Sequence, residues 1–314
     1  MGTNSKFEAL IARNQLPGTS VEIAQEPLLE LVPNPYDASG NHGALIQIRQ
    51  RGGMVVSAAL VPPDGMVATP VLSSNATDTA GLLVPRLGAS FAMMPVGPND
   101  GPGGQHGPLR YVDFVPTAKV YHKPQRGRGL FHVVELEAEL PPDSPFSATR
   151  HIGFIALNRL VIATTIRNLS GKGMTTSLGE HMYFGMPDDA TVDDITLNKL
   201  AIDERLGSGA TADIAAGKPR LWKGFNGMAV VQLSGQLTVE ITSSTTPNTR
   251  SRGTPVPDML LWRRVVNGMP SPTVCLEPVA GFSPDPSEAV SPIVIPADES
   301  ITHRTIVRLL QPAA

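Results

Sequence analysis

Val133-Val134-Glu135-Leu136-Glu137-Ala138-Glu139-Leu140 alternates almost without a break. Val134, Leu136, Ala138 and Leu140 fall on one face, and Glu135, Glu137 and Glu139 on the other. Side chains along a strand point to opposite faces with a period of two, so this stretch predicts a strand with one face in a core and one in water. Strands of that kind belong to antiparallel sheets, because parallel sheets are covered on both faces. The glutamate row is read as the solvated face, not as a metal-binding or catalytic array.

Outward from this stretch the pattern continues. Residues 152–157 and 159–167 read as two strands, the second apolar on both faces and therefore expected inside a sheet. Asn168 to Gly173 reads as a turn into a strand from Met174 to Phe184. Leu45 to Ile48 and Met54 to Val61 flank Gly52-Gly53, and Met228 to Leu233 and Gln236 to Thr242 flank Ser234-Gly235, giving two hairpins. Met259 to Val266, Thr273 to Glu277, Ser291 to Ile295 and Ile301 to Leu310 complete the strands. Residues 4–14 predict one short helix, and no internal repeat recurs at a fixed period.

Glycine and proline number 30 each among 314 residues, which favours short strands joined by turns over long helices. The fold class expected is all-β, a large antiparallel β-sandwich of two sheets packed face to face. One domain is expected over residues 1–314, with residues 1–40 as an N-terminal extension packed on it. The passage from Pro62 to Pro116 is rich in Pro, Gly, Asn and Asp, yet carries Leu82, Leu83, Leu87, Phe91 and Met93. A long loop with that apolar content is expected to be ordered and functional.

Charge narrows the function classes. The net charge is −3 and the pI about 6.2, so there is no basic excess to meet nucleic acid. No apolar run is long enough to span a bilayer, and no basic amphipathic helix suggests a membrane surface. Cys275 is the one cysteine, which excludes an intrachain disulfide and two-cysteine metal knuckles. With no apolar segment near Met1 to suggest a signal peptide, a reducing, cytoplasmic setting is expected.

Three dispersed stretches could carry chemistry. Gly103-Gly104-Gln105-His106-Gly107-Pro108-Leu109-Arg110 holds an imidazole and a guanidinium on a stiff frame of glycine and proline. His181-Met182-Tyr183-Phe184 puts His181 and Tyr183 on one strand face. Thr273-Val274-Cys275-Leu276-Glu277-Pro278 ends an apolar run in a carboxylate, with the proline expected to stop the ladder. Glu277 either turns to solvent there, or is buried with a raised pKa and serves as a base near neutral pH. The other five of the seven histidines, His42, His122, His132, His151 and His303, are assigned structural or surface roles.

Taken together, Gln105-His106-Gly107 with Arg110, His181-Met-Tyr-Phe184, the tryptophan strand around Trp262 and the Cys275-Leu-Glu-Pro278 strand resemble motifs of aldose 1-epimerases, especially the sugar-phosphate branch. Pro85-Arg86 loosely resembles that family's upstream substrate-binding arginine, and the likeness runs from residue 45 to the C-terminus. The resemblance implies a galactose mutarotase-type sandwich and an isomerase interconverting the α and β anomers of an aldose or aldose phosphate. It makes Glu277 the general base on the anomeric hydroxyl and His181 the general acid on the ring oxygen, with His106, Arg110 and Arg86 holding the sugar. Base and acid are expected on opposite sides of a hexose, with room for the ring between them. No metal, cofactor or nucleotide is implied. The family's glycine-rich arginine stretch is absent, and its substrate-binding aspartate cannot be assigned between Asp203 and Asp258. A non-catalytic carbohydrate-binding protein on the same fold is the alternative; a hydrolase would need a second carboxylate beside Glu277.

Overall fold

The computed structural model describes residues 28–31, 44–62, 68–73, 89–96, 106–121, 133–186, 190–234, 237–247, 253–266, 268–284 and 290–310. The helix expected over residues 4–14 lies outside them. Two large antiparallel sheets dominate. The first runs Leu29–Leu31, Leu45–Arg49, Met54–Leu60, Thr69–Ser73, Leu178–Gly185, Met269–Ala280, Asp258–Val266 and Arg220–Trp222. The short strand Ser90–Met93 inserts beside Leu178–Gly185 and Met54–Leu60.

The second sheet runs Leu200–Ala201, Thr196–Leu197, Met228–Ser234, Leu237–Pro247, Ser300–Leu310, Arg159–Asn168, Phe146–Ala156, Val133–Ala138 and Phe114–Tyr121. Arg159–Asn168 is interior, as its two apolar faces require. Val134 and Leu136 are buried while Glu137 and Glu139 reach solvent. Glu135 departs from the alternation: it is buried, accepting from Thr117 at 2.9 Å and facing His151 Nε2 at 3.0 Å.

Met182, Phe184 and Leu276 of the first sheet meet Leu136, Ile152, Ile162 and Val307 of the second in one buried cluster. One polar device crosses this core. Arg150 Nη2 donates to Glu180 Oε1 at 2.8 Å, both side chains fully buried, and Ser90 Oγ bonds the same carboxylate. A smaller cluster sits on the other face of the first sheet, formed by Met54, Phe91, Met93, Tyr183, Leu260, Cys275 and Val279. The strand Leu178–Gly185 is therefore covered on both faces, and only its last residue is not buried.

Several expectations change at the level of single elements. The strand expected from Met174 to Phe184 is two: Met174–Thr176 pairs with Ile293–Ile295, and Leu178–Gly185 joins the first sheet. The strand expected to end at Glu277 runs on to Ala280. Its ladder to Leu178–Gly185 pairs Gly179 with Val279, then resumes at Met182 with Leu276. Pro278, which has no N–H to give, lies in that gap while the strand continues on its other side, where Pro278 pairs with Met259. Among the described residues, the helices are short, and no helix is long and apolar enough to cross a membrane.

Candidate active site

Two strands set the site. The pairs Gly179↔Val279 and Tyr183↔Cys275 bracket a register that puts His181 directly opposite Glu277. Residues opposite each other share a face, and the face alternates along the strand. His181, Tyr183, Cys275 and Glu277 therefore project together from the outer face of the first sheet, while Glu180, Met182 and Leu276 point into the core between the sheets. Trp262 pairs with Cys275 from the next strand and joins the same face.

His181 Nε2 lies 3.1 Å from Glu277 Oε1, and both side chains are nearly sealed, at 1% and 2% exposure. The indole N–H of Trp262 donates to the same oxygen at 2.5 Å. Phe91, opposite His181 on the neighbouring strand, stacks on the imidazole with centroids 4.4 Å apart and planes 16° from parallel. Cys275 Sγ lies 3.2 and 3.4 Å from the two ring nitrogens. A sulfur that close to both must sit over the ring face, because in the plane the carbon between them would block it. Held between neighbours on both flanking strands, the imidazole has little freedom to rotate away from Glu277.

His106 and Arg110 arrive on the turn before the short helix Pro108–Tyr111. His106 takes φ 63° and Gly107 φ 78°. A Cβ on Gly107 would lie 1.8 Å from the carbonyl oxygen of Met94, so this position accepts glycine alone. Met94 N–H donates to His106 O at 3.1 Å, which pins the turn to the end of the Ser90–Met93 strand. The His106 ring then meets His181 edge-on at 5.3 Å, and the buried Arg110 guanidinium lies 4.5 Å above the Phe91 ring. His106 Nδ1 is shielded from solvent, with no hydrogen-bond partner among the described residues.

Burial dominates the electrostatics. It pushes the Glu277 carboxyl up to about 7, against the opposing pull of the Trp262 and Cys275 hydrogen bonds and of Arg110. It drives His181 well below the usual imidazole range, with His106 and Arg110 adding to the effect. His106 is brought down to about 3 by burial and by Arg110. Burial likewise lifts the Cys275 thiol and the Tyr183 phenol. Near neutrality the site thus holds neutral imidazoles and a carboxyl poised to gain or lose one proton.

His181, Cys275 and Glu277 also bring three potential metal donors within 4.8 Å of one another. An imidazole binds a metal in its plane through a nitrogen lone pair, and the sulfur over the ring face is not placed to share such an ion.

Four of the residues singled out in the sequence, His106, Arg110, His181 and Glu277, come together here; Arg86 lies outside the described residues. The spacing differs from expectation. His181 and Glu277 touch, so no hexose fits between them. Phe91, Trp262, Tyr183 and Cys275 complete the surroundings. Parity in Cys275-Leu-Glu277 and His181-Met-Tyr183 signals two of these, whereas Phe91 is buried in a passage that reads as loop. Asp203 accepts the Thr211 and Gly209 N–H groups and closes a surface turn. Asp258 accepts the Gly224 N–H at 3.3 Å, two residues before Leu260 on the site face.

No protein-family model matches the chain, and no curated protein matches its sequence. Solved structures do. A galactose mutarotase related enzyme from Lactobacillus acidophilus aligns over 91% of this chain and 98% of its own, with TM-score 0.61 and 12% identity. A galactose mutarotase-like protein from Lactobacillus casei aligns over 90% and 100%, with TM-score 0.61 and 16% identity. An aldose epimerase homologue from C. elegans aligns over 91% and 99%, with TM-score 0.56 and 12% identity. The fold is therefore galactose mutarotase-like.

Proposed function

We propose that this chain is an aldose 1-epimerase, a single-domain isomerase that interconverts the anomers of an aldose or aldose phosphate through the Glu277–His181 pair. The observation that carries this reading is the 3.1 Å contact between a carboxyl and an imidazole that are both buried. The anomeric hydroxyl and the ring oxygen are bonded to the same carbon. Two proton-exchanging groups in contact can therefore serve both oxygens from one side of the sugar.

The pair works with one exchangeable proton. Glu277 as carboxylate takes the hydroxyl proton from the anomeric oxygen while His181 as imidazolium gives its proton to the ring oxygen. The bond between the anomeric carbon and the ring oxygen breaks and an aldehyde forms. The pair is left as carboxylic acid and neutral imidazole, the form that burial favours. Rotation about the adjacent carbon–carbon bond presents the other aldehyde face. On closure both protons return, the opposite anomer forms, and the pair is restored. Positioned proton transfer of this kind contributes about 10²–10⁴-fold.

His106 and Arg110 hold the sugar against the pair, joined by Arg86 on the family resemblance, and fixed positioning of this kind lowers the barrier further. The free, buried Cys275 fits a reducing cytoplasm. The test is α/β exchange followed by magnetisation-transfer NMR on glucose, galactose and glucose 6-phosphate. Exchange above the buffer rate for at least one supports the reading; buffer-rate exchange across a broad aldose panel removes it.

A further inference from the structure

Beside the catalytic pair lies a cleft of ≈ 530 Å³ lined by Leu221, Lys223, Asp258, Phe282, Ser283 and Ser291. That volume is within the range of small-molecule sites, roughly 300–1,000 Å³. Its place follows from register. Leu221 pairs with Leu260, and Leu260 pairs with Glu277, so all three share the outer face of the first sheet. Two strand spacings set Leu221 roughly 10 Å to the side of Glu277. Leu221 and Phe282 also pack against the cluster that contains Tyr183, Leu260, Cys275 and Val279. Leu221 and Phe282 thus join the cleft wall to the apolar cluster around the site.

We propose that this cleft is a subsite for a second sugar ring, so that the preferred substrate is the reducing end of a disaccharide or longer saccharide. The proposal rests on the epimerase reading and names its substrate class. The reaction needs only the anomeric carbon at Glu277 and His181. Hydroxyls elsewhere on the reacting ring take no part, and one of them can carry a glycosidic bond toward the cleft. The lining has the mixed character that a pyranose needs, with apolar surface from Phe282 and Leu221 beside the polar side chains of Lys223, Asp258, Ser283 and Ser291.

The charges of the lining, Lys223 and Asp258, are one of each sign, which fits a neutral, hydroxyl-rich ring better than an anionic group. The corner that presents Phe282 turns on a glycine. Gly281 takes φ +72°, and a Cβ there would meet the Ile293 nitrogen at 3.1 Å and Pro292 Cα at 3.3 Å.

The test compares glucose with maltose, cellobiose and lactose on the full chain. NMR exchange gives kcat/KM, and backbone amide shifts of the ¹⁵N-labelled protein report binding. One disaccharide should exceed glucose by about 10-fold in kcat/KM, the worth of one modest added contact. The same disaccharide, and not glucose, should shift the amides of Gly281, Phe282, Ser283 and Ser291 saturably. Ser291→Trp, at an exposed position that tolerates a large side chain, should fill the cleft and cut the disaccharide-to-glucose ratio about 10-fold. Glucose turnover with no disaccharide advantage, or a ratio unmoved by Ser291→Trp, overturns the subsite and leaves the epimerase reading intact. Saturable disaccharide shifts at these amides without turnover of any sugar uphold the subsite and overturn the epimerase reading.

Discussion

Glu277 and His181 face each other across one strand pair, Oε1 to Nε2 at 3.1 Å, although 96 positions part them in the chain. Antiparallel register alone makes this contact, and flanking rings and a sulfur hold it. A buried carboxyl and a buried imidazole in contact titrate as a unit, one proton-carrying pair.

The pH dependence of kcat/KM follows from that unit. Burial raises Glu277 to about 7 and holds His181 neutral, so below about 7 the pair keeps one exchangeable proton. Above it the carboxyl loses that proton, and nothing remains to give to the ring oxygen. After subtraction of buffer exchange, kcat/KM should fall roughly tenfold per pH unit on the alkaline side of the pair's pKa. A rate that climbs steadily through pH 7 to 9 would contradict the one-proton pair.

Trp262 tunes the same titration. Its indole N–H bonds Glu277 Oε1 and favours the charged carboxylate, so it holds the Glu277 pKa down. Trp262→Phe removes the donor while keeping an aromatic ring. The alkaline limb of the pH profile should then move to higher pH, and an unmoved or lowered limb would show that the indole has no such influence.

His303 should make the fold acid-sensitive. It is buried in the second sheet, its Nδ1 has no partner among the described residues, and burial aided by nearby Arg150 lowers it to about 4 from 6.5. A depressed imidazole pKa contributes stability that is fully present above pH 6.5 and lost as pH falls toward 4. The gap corresponds to about 3 kcal/mol between those limits. Glu277, with its raised pKa, works in the opposite direction and is common to parent and variant. In urea unfolding, His303→Gln should lose less stability than the parent between pH 6.5 and 4; parallel losses would contradict the assignment.

Arg150 and Glu180 tie the two sheets beneath the site. Their 2.8 Å pair is fully buried, and removing one partner leaves the other charged and uncompensated. Arg150→Met should cost about 3–5 kcal/mol in denaturant unfolding. The double variant Arg150→Met with Glu180→Gln should recover part of that loss, since no lone buried carboxylate remains. Equal stability of the single variant and the parent would show that the pair is not held as described.

Much of the fold could be read from alternation, because a strand with one wet face writes its period into the sequence. Val133 to Ala138 shows this, and so does the interior placement of Arg159–Asn168 from two apolar faces. What alternation could not show was context. Glu135 is drawn into a buried polar cluster by His151 and Thr117 on neighbouring strands, and a single strand carries no record of its neighbours. The Ser90–Met93 strand is four buried residues inside a passage dense in turn formers, too short for its period to stand out. Pro278 reads as a stop from its own strand alone, yet the Asp258–Val266 strand carries the ladder past it.

At the site, residue identity was legible and geometry was not. His106, Arg110, His181 and Glu277 stand in recognisable short stretches, so they could be named one by one. Their mutual contact depends on pairing between strands far apart in sequence, which no local pattern encodes. The expectation of a hexose between base and acid failed for that reason. The register sets His181 and Glu277 side by side, and in the proposed reaction the shared anomeric carbon would let adjacent groups serve both oxygens.

The most direct test of the central claim is the anomer exchange rate of Glu277→Gln, measured by NMR on the sugar that the parent turns over fastest. Glutamine keeps the shape and can still accept the Trp262 N–H, but it cannot carry the proton. The account requires a loss of about 10²–10⁴-fold in kcat with sugar affinity held within a few-fold. Turnover within tenfold of the parent would contradict it.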